Sequence, residues 1–114
     1  MITVFINIKF IRILHHFVEE SLLRFGAEID RIYPQVASPL VLRDVIHQLE
    51  ITASGFPDCV VWNPGPVLGA KLADLEVEGH RRYICVEAAA AMKPVTLRPG
   101  QTWQGEQRLQ DVGI

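Results

Sequence analysis

The sequence is poor in most features that place a chain at sight. It has only two cysteines among 114 residues, too few for a disulfide framework, and each lies in an apolar run, Cys59-Val60-Val61-Trp62 and Tyr83-Ile84-Cys85-Val86. A thiol in such a run behaves as a small hydrophobe, so two reduced, buried thiols and a cytoplasmic location are expected. No Cys-x-x-Cys pair or Cys/His cluster has metal-site spacing, and no metal ligand is assigned. Basic blocks are absent as well: the eleven Lys and Arg are scattered, the pair Arg81-Arg82 is the longest, and thirteen acidic residues leave a formal charge of −2. That excludes the electrostatic footprint of a nucleic-acid binder. The most apolar stretch, Met1 to Val18, is broken by Asn7, Lys9, Arg12 and His15-His16, short of the roughly 18 uninterrupted apolar residues of a membrane span. It also lacks the leading basic region of a secretory signal. Gly65-Pro66-Val67-Leu68-Gly69 has neither the spacing nor the lysine of a phosphate loop, and no Gly-x-Ser-x-Gly elbow occurs.

Turn chemistry and alternation are what the chain does have. All 15 glycines and prolines fall from Gly26 onward. Between them lie short strand candidates: the alternating Ala27–Tyr33, ended by Pro34, Leu40–Val45, the alternating His47–Ser54, the continuously apolar Cys59–Trp62, Arg82–Ala89, and a last alternating one with Trp103, Gly105, Gln107 and Leu109 on one side. Gly55-Phe56-Pro57-Asp58 and Asn63-Pro64-Gly65-Pro66 read as turns, and Pro99-Gly100 fits the centre of a type II turn. One short helix is expected at about Gly69–Leu75. Several short strands at such spacing predict an all-β sandwich or barrel. The first 20 residues read differently: Val4, Ile6, Ile8 and Phe10 form an alternating face, and Ile11 to Val18 is ambiguous between strand and helix.

Three places could carry chemistry. Glu87 stands in Tyr83-Ile84-Cys85-Val86-Glu87-Ala88-Ala89, flanked by apolar or small residues. It is either a strand-end glutamate turned to water or a carboxylate held rigidly enough for general acid–base work. Asp30 sits mid-strand, where aspartate is disfavoured, and so either pairs with Arg31 or Arg43 or reaches into a pocket. Trp62-Asn63-Pro64 ends a buried strand, with core packing plus an Asx turn as one reading and a sugar-facing wall as the other. Of the histidines, His15, His16 and His47 are expected at the surface or a strand edge, and His80 in the polar loop Glu78–Arg82.

Taken in order, the segments Glu28-Ile29-Asp30-Arg31-Ile32-Tyr33, Gly55-Phe56-Pro57-Asp58-Cys59-Val60-Val61-Trp62-Asn63-Pro64, Ala73-Asp74, Ile84-Cys85-Val86-Glu87-Ala88-Ala89 and Pro94-Val95-Thr96-Leu97-Arg98-Pro99-Gly100-Gln101-Thr102-Trp103 resemble the C-terminal part of the glucose-6-phosphate 1-epimerase (hexose-6-phosphate mutarotase) family, a branch of the aldose 1-epimerase-like proteins. The resemblance spans about residues 22–110. It implies the C-terminal portion of a galactose mutarotase-like β-supersandwich over residues 21–114, with residues 1–20 outside the family pattern. It also implies interconversion of the α and β anomers of a phosphorylated aldohexose such as glucose 6-phosphate, without metal or redox cofactor. Glu87 would be the general base at the anomeric hydroxyl. Asp30 would hydrogen-bond sugar hydroxyls, and a histidine would protonate the ring oxygen; Asn63 is a second substrate contact where the wall at its strand end faces the sugar.

The family's histidine and most of its phosphate-holding arginines lie upstream of the Glu-x-Asp motif, where this chain has only about 25 residues. His15 and His16 do not match that histidine's surroundings. Gly65 and Gly69 stand where the family usually carries an aromatic and a lysine, and Ala90 where asparagine is common. The expectation is therefore a partial, catalytically impaired epimerase. The alternative is a non-catalytic carbohydrate-binding or interaction module on the same fold. A half-sandwich exposes a face that its missing half would cover, so pairing with a second copy goes with either reading.

Overall fold

In the computed structural model, residues 2–5, 10–15, 18–24, 26–35, 39–44 and 47–113 are described, the first three stretches by their backbone alone. Nine strands form two antiparallel sheets: β1 (Ile2–Phe5), β2 (Phe10–His15), β3 (Val18–Arg24), β4 (Ile29–Tyr33), β5 (Leu40–Arg43), β6 (Gln48–Ser54), β7 (Asp58–Asn63), β8 (Tyr83–Ala89) and β9 (Glu106–Asp111). One sheet has the order β1-β8-β7-β4 and the other β3-β2-β5-β6-β9. The molecule is thus an all-β partial sandwich. Its core lies between the sheets and joins Ile29, Tyr33, Cys59, Val61, Ile84 and Val86 of the first to Leu40, Leu42 and Ile51 of the second.

The alternation in sequence becomes the two faces of each strand. Along β7 the odd residues Cys59, Val61 and Asn63 turn inward, and along β8 the even residues Ile84 and Val86 do so. The partners of β7 keep an unbroken register, with Ile29 to Tyr33 opposite Asn63 to Cys59 on one side and Tyr83's strand opposite it on the other, Trp62 facing Cys85 and Asp58 facing Ala89. Asp58, buried at the start of β7, secures that register. Its carboxylate accepts backbone N–H groups from Gln35 at 3.1 Å and from Ala91 and Met92 at 2.9 Å each. The bond from Met92, aided by those from Gln35 and Ala91, holds the Asp58 carboxyl below the ordinary carboxylate range although burial works the other way.

The ambiguous N-terminal stretch is β-structure where it is described. β1 pairs with β8, and β2 pairs with both β3 and β5. Ile6 and Ile8 of the expected alternating face lie outside the described residues. The helix, α1, covers Gly65–Lys71 and starts four residues ahead of the expected Gly69–Leu75. The prolines read as a stop are instead its start: Pro64 is the N-cap and Pro66 stands in the first turn, where a missing N–H costs nothing. Leu72 is already extended and ends it.

Pro99-Gly100 forms the expected turn, with Gly100 at φ +83° and Gln101 N–H donating to Arg98 O at 3.0 Å. The last strand is shorter than its alternation suggested. Trp103 packs edge-on against Phe56, ring centres 5.0 Å apart, and a Cβ on Gly105 would stand 2.5 Å from both rings, so pairing begins only at Glu106. Both cysteines are free and buried, and burial pushes the Cys59 thiol up to about 11. Among the described residues no helix is long and apolar enough to cross a membrane.

Candidate active site on the four-stranded sheet

The outer face of the four-stranded sheet gathers the chemistry. In the continuous register Asp30 stands opposite Trp62, which stands opposite Cys85; one level along, Ile32 stands opposite Val60, which stands opposite Glu87. Because facing residues in a ladder share a face, Asp30 on β4, Trp62 and Val60 on β7, and Glu87 on β8 all rise from the same surface. Asp30 and Glu87 are two strands apart and displaced by two residues, roughly 10 Å across and 7 Å along the sheet.

Within this face the burial is graded. Asp30 is exposed, while Glu87, Val60 and Trp62 are half-buried. Neither Arg31 nor Arg43 forms an ion pair with Asp30, so its carboxylate is left to accept hydrogen bonds from elsewhere. The Trp62 indole N–H donates to Glu28 Oε1 at 3.1 Å, and Glu28 lies two residues before Asp30 on the same side of the chain. No Lys or Arg stands on this face of β4, β7 or β8 among the described residues. Carboxylates are pure acceptors, so the surface suits a ligand rich in hydrogen-bond donors.

Asn63 is not brought to that face. It is fully buried on the inward side of β7, and its amide donates to His80 O at 2.7 Å and Tyr83 O at 2.8 Å. Its Oδ1 accepts Gly65 N–H at 2.9 Å, which is an Asx turn leading into α1. Both amide hydrogens and the carbonyl are therefore engaged within the protein. Gly65, at φ +72°, is pressed so closely on the segment leading into β4 that a Cβ would lie 2.6 Å from Ala27 C and Glu28 N. Through this contact Asn63 and Gly65 set where the chain passes from Glu28 into β4, and hence where Trp62 finds its partner.

The histidines divide. His47 is exposed and donates through its backbone and ring to Asp44, closing the β5–β6 hairpin in the other sheet. His80 departs from expectation: it is 3% exposed, in a 3-10 turn at Gly79–Arg82, with Nε2 unpaired, and it lines a cavity of about 190 Å³ below α1 with Gly69, Leu75 and Gly79. The three-residue period of that turn carries its charged neighbours outward and this ring inward. The side chains of His15 and His16 lie outside the described residues. No described histidine shares the face of Glu87 and Asp30. Of the residues there, Glu28 was not singled out by sequence reasoning, since nothing in its local pattern signals a partner 34 positions away.

A partial β-sandwich with carboxylates and an indole on one open sheet face is the class that fold and site define. Comparison with known proteins agrees with the family named from the motifs. The chain is 35% identical over 85 residues to a protein of Cenchrus ciliaris described as "Putative glucose-6-phosphate 1-epimerase", covering 71% of this chain and 25% of that one. Proteins of the same description from Salmonella typhimurium and Escherichia coli K12 are 26% and 29% identical over 77 and 80 residues, covering 66% and 63% of this chain. The chain spans about a quarter of the length of the curated relatives it matches. No family model and no solved structure matches it.

Proposed function

We propose that this sheet face binds an aldohexose, phosphorylated at the 6-position as the relatives' descriptions suggest, and acts on its anomeric centre. The observation that supports the reading most is that Glu87 and Asp30 share one face of the four-stranded sheet. Glu87, half-buried on β8, takes the proton from the anomeric hydroxyl. The ring oxygen takes a proton from solvent as the C1–O5 bond opens. After rotation about C1–C2 the ring closes on the other face, with O5 releasing its proton to solvent and Glu87 returning its own to the new anomeric oxygen. Asp30 accepts hydrogen bonds from ring hydroxyls and fixes the sugar over Val60 and Trp62. Asn63, expected as a substrate contact from its strand-end position, serves this site by holding the entry to α1.

One observation favours a second reading, a carbohydrate-binding module. Among the described residues the face holds a base and no histidine acid, and a base without its acid forgoes roughly 10²–10⁴ in rate. Anomer exchange of glucose 6-phosphate, followed by NMR saturation transfer, distinguishes the two. Exchange above the buffer rate that is lost in Glu87→Gln supports catalysis at this face. Saturable binding without exchange moves the reading to the module, and the absence of both overturns each of them.

A further inference from the structure

We infer that Glu28 is a positioning residue, whose bond to Trp62 holds the indole as a platform for the sugar ring between Asp30 and Glu87. This rests on the reading of the face as a sugar site, and it gives a task to Glu28, to which that reading assigns none. The Glu28–Trp62 bond joins an exposed carboxylate to a half-buried indole at 3.1 Å. An exposed pair of this kind competes with water and adds little to stability. What it does change is direction, since an indole has only two side-chain torsions and one anchored N–H selects among their rotamers.

The register says where the ring is sent. Trp62 is level with Asp30 and Cys85, Glu87 is level with Val60, and Glu28 precedes the ladder on the side of Asp30 away from Val60. The bond to Glu28 anchors Nε1 on the side of Asp30 away from Glu87, and Ile32, across from the half-buried Val60, is exposed. A pyranose has an apolar C–H face and a rim of hydroxyls. Here its face meets indole and valine while its rim meets the carboxylates of Asp30 and Glu87. The anchor is itself held, because the close contact of Gly65 with Ala27 and Glu28 fixes the backbone from which Glu28 extends.

The experiment uses the full chain carrying Trp103→Phe, which keeps an aromatic ring against Phe56 and leaves Trp62 as the sole tryptophan. Glucose 6-phosphate is titrated while Trp62 emission is recorded, and anomer exchange is measured on the same samples. A saturable emission change is expected, with affinity about three- to tenfold weaker in Glu28→Ala. Glu28→Gln, whose carbonyl still accepts the indole N–H, restores most of that loss, and the urea midpoint stays the same in both variants. An equally weak Gln variant, an unaltered affinity in Glu28→Ala, or exchange without any Trp62 response overturns the positioning role and leaves the epimerase reading standing. A Glu28-dependent Trp62 response without exchange upholds the platform while removing catalysis. A silent emission with no exchange overturns both.

Discussion

At the scale of single residues, Asp58 ties the loop after β4 and the loop after β8 to the start of the strand between them. Replacing its carboxylate by an amide weakens three charge-assisted bonds, so Asp58→Asn is expected to lose about 2 kcal/mol at pH 7. The pH dependence follows from the lowered value of the carboxyl in the folded chain. The stabilisation is complete above the ordinary aspartate value of about 3.9 and disappears as pH falls below it through the folded value. Urea unfolding at a series of pH values should therefore show wild type and variant converging in acid. Glu87 and Asp30 were legible from sequence because each breaks a local rule, a charge amid small apolar residues or an aspartate inside a strand. The Glu28–Trp62 bond breaks none, and it is visible only once β4 lies beside β7.

At the scale of elements, the turn from β7 into α1 decides how the face is framed. Asn63 left two readings open, core packing with an Asx turn or a wall shared with Trp62, and because neighbours in a strand point to opposite sides the first is the one that forms. Trp62 rises from the outer face and Asn63 closes an Asx turn on the inner one. Gly65 is the residue this turn tolerates least well in any other form. Gly65→Ala forces an L-residue to φ +72° and drives a methyl group into the Ala27–Glu28 backbone, costing roughly 2–4 kcal/mol. Chemical denaturation measures that loss. The same variant should also weaken the Trp62 response to sugar, because Glu28 shifts with its backbone.

At the scale of the whole molecule, both sheets depend on one core, so the site-bearing sheet has no stability of its own to draw on. Ile84 is fully buried and belongs to the cluster that joins the sheets. Ile84→Ala is expected to cost about 2–5 kcal/mol through lost burial and the cavity left behind. Its circular dichroism and tryptophan fluorescence should unfold in one coincident transition. Separate transitions would mean that the two sheets fold independently.

By itself the sequence determined the class of fold, the positions of most strands from β4 onward and the family resemblance. These depend on period-two alternation and on proline and glycine punctuation, which act over a few residues. It also marked Glu87 and Asp30 as unusual. Tertiary structure alone decided that the ambiguous N-terminal stretch supplies strands to both sheets, since a dense apolar run suits strand or helix until a partner such as β8 offers its edge. Only there did His80 turn inward and Asn63 away from Trp62. The grouping of Glu28, Asp30, Trp62 and Glu87 on one face was decided there too, because a face shared by three strands is set by register between residues up to 59 positions apart, from Glu28 to Glu87, and no local pattern carries that information.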